Sequence, residues 1–78
     1  MKDEYTIRSA VYEALMEKPK NTDFYFTDFI SEVRRKLREH GNPAKPMDGT
    51  IQRAMRLMRR SFDIKCVDYR KSIYRIVE

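Results

Sequence analysis

The chain has a single cysteine, Cys66, in 78 residues. One thiol excludes an internal disulfide and any cysteine cluster for zinc, and it fits a reducing compartment. The only histidine, His40, has no cysteine in register with it for nucleophilic catalysis. Two glycines, Gly41 and Gly49, are too few for a glycine-rich phosphate loop. No apolar run approaches the ~20 residues of a membrane span. The start, Met1-Lys2-Asp3-Glu4, is charged where a signal peptide is apolar. Repeats and low-complexity segments are lacking too. These absences lead us to expect no catalysis, no cofactor, no metal and no small-molecule substrate, in a soluble cytoplasmic protein.

What is present suits one small domain, residues 1–78. A hydrophobic share of 41% with nine aromatics, five tyrosines and four phenylalanines, can fill a small core. A chain this short buries about 60–65% of its unfolded surface, so its stability should be of order 5–10 kcal/mol. The net charge is +5, and its distribution is polar. Residues 1–32 carry seven acids and four bases, a net of −3, whereas residues 33–78 carry five acids and thirteen bases, a net of +8. One end of such a domain is expected to face a polyanion.

The basic half centres on 48–61. Asp48 has the acceptor side chain of an N-cap, and Ile51, Ala54, Met55, Met58 and Phe62 recur as one apolar stripe. At about 100° per residue, Gln52, Arg53, Arg56, Arg59 and Arg60 fall within roughly 120° on the other side. No acid occurs between Gly49 and Phe62. Arg59 and Arg60 suit the last turn of a helix, where cations complement the dipole. Arg53 and Arg56 lie mid-helix with no acid four residues away. Guanidinium forks and glutamine amides are the groups that read base edges and hold phosphates, so this face is expected to meet nucleic acid.

Along the rest of the chain, Ile7, Ala10, Val11, Ala14 and Leu15 trace a first helix, capped by Asp3 or Thr6 and ended at Lys18-Pro19. Its outer face, with Tyr12, Glu13 and Glu17, is acidic and unsuited to DNA. A turn at 20–23 leads to a short half-buried strand at Phe24-Tyr25-Phe26. Thr27 or Asp28 caps a second helix with the stripe Phe29, Ile30, Val33 and Leu37, and Arg34, Arg35, Lys36 and Arg38 on its outer half. His40-Gly41 ends it, and residues 42–47 form a loop stiffened by prolines. His40 beside this cap is expected to be structural. After Ser61 the period becomes 2, predicting a two-stranded hairpin with Ile64 and Cys66 inward and a polar, basic tip at 68–72.

The order helix, short strand, helix, helix, hairpin, with cations on the third helix and the hairpin tip, resembles the winged helix-turn-helix domains over nearly the whole chain. The resemblance implies an α+β fold with a three-helix core, a short strand after the first helix and a C-terminal two-stranded wing at 62–77. It implies a double-stranded DNA binder, a small transcriptional regulator or mobile-element accessory factor, with helix 48–61 in the major groove. Gln52, Arg53 and Arg56 then lie nearest base edges, and Thr50 bonds a phosphate through its hydroxyl and backbone amide. Arg59 and Arg60 hold the backbone, as do Arg70 and Lys71 at the wing tip. Arg34, Arg35, Arg38 and Lys45 are additional backbone candidates.

One departure from the family is the connection 41–47, longer than the tight turn of the simplest members. The same architecture hosts protein-interaction modules, so an adaptor binding an acidic protein or RNA surface through the basic face is the alternative. A homodimer on two half-sites would have to pair through the acidic first helix, the aromatic run near Tyr25 or a strand edge.

Overall fold

The computed structural model describes residues 4–78, so Asp3, one of the two expected caps of the first helix, lies outside the described residues. Thr6 takes that role for α1 (Ile7–Met16): its hydroxyl accepts the Ser9 amide at 3.2 Å, and Ser9 Oγ accepts the Thr6 amide at 3.2 Å. The reciprocal pair satisfies two amides that a helix start leaves open. The helix ends at Met16, ahead of Lys18-Pro19. Ala10, Val11, Ala14 and Leu15 face inward.

A turn with Asn21 in the left-handed region (φ 61°) brings the chain into β1 (Asp23–Tyr25). Phe26, expected in that strand, is instead the first residue of α2 (Phe26–Glu39). Neither Thr27 nor Asp28 caps this helix. Tyr25 occupies the cap position without a side-chain bond, because the Phe26 amide donates 2.9 Å to the Ser72 carbonyl. The turn at 69–72 supplies the acceptor that a cap side chain would otherwise provide. At the far end Gly41 adopts φ 72°, its amide bonds Arg38 O at 3.0 Å, and the Asn42 amide bonds Leu37 O at 2.8 Å. This pair of bonds is the glycine-dependent helix stop expected at His40-Gly41.

The helix expected at 48–61 divides into α3 (Asp48–Leu57) and a 3₁₀ turn, Met58–Arg60. Met58 O accepts both the Ser61 and Phe62 amides at 2.9 Å, and this tighter winding turns Phe62 into the core against Tyr12, edge to face at 5.4 Å. β2 (Asp63–Asp68) and β3 (Ile73–Val77) form the expected hairpin, but it is not two-stranded in isolation. β1 pairs antiparallel with the free edge of β3, giving a three-stranded sheet in the order β1-β3-β2. Asp23 sits opposite Arg75, and their side chains pair at 2.7 Å. The chain is therefore an α+β fold of three helices and one antiparallel sheet.

One core joins them. Ile51 and Met55 of α3 lie in the same cluster as Leu15, Val33 and Leu37, with Met58 half-buried at its edge. Lys36, expected outside, is buried, and its ammonium reaches Glu17 at 2.6 Å. No helix among the described residues is long and apolar enough to cross a membrane.

Candidate nucleic-acid interface

The position of α3 is set by the loop before it. Asn42 donates 2.6 Å to Tyr5 O and accepts the Ala44 amide at 2.9 Å, tying the loop to the segment leading into α1. Pro46 is buried. Arg34 of α2 then reaches across: its Nη2 donates to Pro46 O at 3.0 Å and to Asp48 Oδ1 at 3.0 Å. The long connection is thus braced at both ends. His40 belongs to the same scaffold, with Nδ1 2.9 Å from Lys36 O and its ring against Tyr5. Burial, aided by the nearby Glu13, pushes the Tyr5 phenol well above its ordinary range.

Two expectations at the start of α3 are corrected by this brace. Asp48 is not the N-cap; Met47 is, without a side-chain bond, because the Asp48 carboxylate is held by Arg34. The Thr50 amide is also committed, donating to Met47 O at 3.0 Å, so only its hydroxyl remains for a phosphate. The exposed Gly49 beside it has open space around the position a Cβ would take.

Farther along, Arg53 and Arg56 of α3 and Arg59 and Arg60 of the 3₁₀ turn are all exposed. None of them forms an ion pair among the described residues. They divide between two flanks. Arg56 and Arg59 line a cleft of about 210 Å³ between α3 and the hairpin, together with Gln52, Cys66, Tyr69 and Tyr74. Gln52 Nε2 points into that cleft, 3.5 Å from the Tyr74 hydroxyl. Arg53 and Arg60 lie toward α1, and Thr50 joins Arg53 there.

Cys66 was expected inward and is instead exposed. By alternation Cys66 shares a face with the buried Ile64, but burial stops at Ile64, and Cys66 lies open at the cleft that both residues line with Gln52, Met55 and Arg56. A bulge between Cys66 and Asp68 then shifts the register and leaves Val67 unpaired and exposed. Beyond it, Asp68 Oδ1 accepts the amides of Arg70 (3.0 Å) and Lys71 (3.2 Å), fixing the backbone of the tip while both cationic side chains stay exposed. Tyr69, 89% exposed, stands beside them.

The additional candidates are unequal. Arg34 is occupied by Pro46 and Asp48, and Arg35 lies 3.9 Å from Glu39 on its own helix. Arg38 and Lys45 are exposed and border one hollow under the 42–45 loop, which Arg34 also lines. Two exposed residues next to the basic face were missed by the periodicity: Tyr69 at the tip and Leu57, 57% exposed at the end of α3. Leu57 was detectable as the one apolar residue of 48–61 outside the buried stripe. Among the described residues no group of three or more histidine, cysteine or acidic side chains is arranged to hold a metal.

No family model, curated protein or solved structure matches the chain.

Proposed function

We propose that this chain is a double-stranded DNA-binding protein of the winged-helix type, serving as a small transcriptional regulator or mobile-element accessory factor. The observation that carries the reading is the set of exposed arginines along α3 and the 3₁₀ turn without acid partners among the described residues, two of which, Arg56 and Arg59, line one cleft with Tyr69, the neighbour in sequence of the exposed Arg70 and Lys71. An ordinary solvated helix face mixes signs, because a field of one sign repels itself. A polyanion removes that repulsion.

In this reading α3 enters the major groove. Arg53 and Arg56 fork onto guanine O6 and N7, and Gln52 reads an adjoining base edge. Arg59, Arg60 and the Thr50 hydroxyl hold phosphates, while Arg70 and Lys71 clamp the backbone beyond. Arg38 and Lys45 extend the positive surface past the α3 N-terminus; Arg34 acts by holding that end in place.

The test is a selection from random duplexes at one fixed salt concentration. A short enriched motif, bound clearly more tightly than its scrambled version, is the expected outcome. Equal affinity for all duplexes, with tight binding to an acidic protein, would favour the adaptor instead. Salt dependence alone separates nothing, since nonspecific association follows salt as steeply.

A further inference from the structure

The flank of α3 turned away from the hairpin has a different chemistry. Two adjoining hollows between α1 and α3 share Arg8 and Leu57. Their floor is apolar, formed by Ile7, Ala54 and Met58, and Leu57 projects beside it. Arg53 borders one hollow and Arg60 the other, and no acid lines either.

Arg8 is placed at a cost. It stands in the first turn of α1, where the helix dipole disfavours a cation, and that turn contains no acid. Among the described residues it forms no ion pair. Leu57 likewise leaves apolar surface in water beside arginines. A phosphate backbone would use the cations and gain nothing from Leu57 or Ile7. An apolar strip rimmed by three unpaired cations matches a helix with one greasy face and acidic shoulders.

We infer that the α1–α3 groove is a docking site for an acidic amphipathic helix of a partner protein, with Leu57 as the apolar anchor and Arg8, Arg53 and Arg60 as the charged rim. The site stands apart from the cleft between α3 and the hairpin. It does not require that α3 read DNA, and a partner seated there would compete with a duplex only through Arg53 and Arg60.

The experiment is a selection of phage-displayed helical peptides on the full chain, with subtraction against Leu57→Glu, followed by affinity measurement on synthetic copies. Enriched peptides are expected to carry apolar residues at helical spacing flanked by aspartate or glutamate. They should bind at micromolar levels, and Leu57→Glu and Arg8→Glu should each weaken them about tenfold, the scale of an anchor loss. Both positions are exposed, so the variants should keep the wild-type circular dichroism, and Leu57→Ser serves as a milder second variant. Neither substitution should weaken a duplex by as much as it weakens the peptide. An empty selection, enriched peptides without acids, or equal binding by Leu57→Glu would overturn the proposal. So would a loss of duplex affinity matching the loss of peptide affinity, which would make the groove a nucleic-acid contact. Failure of the wild type to prefer any duplex sinks the DNA reading alone and leaves these outcomes unchanged.

Discussion

One guanidinium nitrogen of Arg34 lies 3.0 Å from Asp48 Oδ1 and also donates to the carbonyl of Pro46, so a single side chain of α2 holds the first turn of α3. Both partners of the ion pair are substantially exposed, and its contribution to stability is at most about 1 kcal/mol. Asp48 is also the only acid on α3. Asp48→Asn should therefore lower unfolding free energy by no more than that amount while raising duplex affinity a few-fold at low salt. Urea unfolding and duplex titration check the two halves. A fall in duplex affinity would show that placement of α3 matters more than its charge.

Lys36 and Glu17 give a pH signature. The Lys36 ammonium, hydrogen-bonded at 2.6 Å, holds the Glu17 carboxyl below its ordinary value of 4.5. A carboxyl with a lower pKa folded than unfolded adds stability that is fully present above the ordinary value. That stability is lost as pH falls through the depressed one. Glu17 is 61% exposed, so Glu17→Gln should cost about 1 kcal/mol or less at neutral pH. The difference from wild type should shrink as pH falls through that depressed value, where the wild type loses the charge as well. A gap that stays constant from neutral to acid pH would rule out the ion pair as its source.

Met55 is 2% exposed at the centre of the α3 stripe. Met55→Ala should cost about 2–4 kcal/mol, the range for opening a cavity in a small core. Chemical denaturation measures it. A loss below about 0.5 kcal/mol, the level of a surface change, would contradict the packing described here.

Cys66 is open to solvent, so a thiol reagent should label the folded protein at a rate close to that of the unfolded chain. Because Cys66 shares its cleft with Arg56 and Arg59, a bound duplex should slow the labelling. Equal rates with and without a saturating duplex would move the DNA away from that cleft.

Reading and holding should separate in mutants. Arg53→Ala or Arg56→Ala should cost about 1–3 kcal/mol on the preferred duplex and blur the preference at one or two base pairs. Replacing Arg70 and Lys71 together by alanine should weaken all duplexes alike and lower the salt slope by about two, near 0.9 per lost phosphate contact. Salt titrations on preferred and scrambled duplexes provide the comparison. If the tip variant lost specificity and the helix variants lost only uniform affinity, the two roles would be exchanged.

The parts of this molecule that were legible in the sequence are those governed by neighbours along the chain. Ile51, Ala54 and Met55 repeat at helical spacing, and a helix buries one stripe whatever lies opposite. Gly41 ends α2 through contacts with residues immediately before it. What escaped depends on partners far along the chain. Asp48 has the chemistry of a cap, but Arg34, fourteen positions earlier, competes for its carboxylate and holds it. The start of α2 is satisfied by Ser72, which no local pattern at Thr27 or Asp28 could reveal. Alternation identified the face that Cys66 shares with Ile64, but not that burial stops at Ile64 and leaves Cys66 at an open cleft. At the candidate interface the arginines were found from an absence of acids. Leu57 was passed over because periodicity searches for what is buried.

The sheet order also dictates a sequence of events. β3, which follows β1 and β2 along the chain, occupies the middle of the sheet, with Asp23 paired to Arg75 and the Phe26 amide bonded to Ser72. During synthesis the chain as far as Lys71 would emerge with β1 and β2 still unjoined and the first amide of α2 without its acceptor. Closing loops of that span is slow compared with forming a hairpin or a helix. The helices can assemble early, but the wedge between α3 and the hairpin tip acquires its shape only when β3 slides between two waiting edges. A nascent chain of this protein would therefore carry Arg56 and Arg59 before the cleft they line was complete.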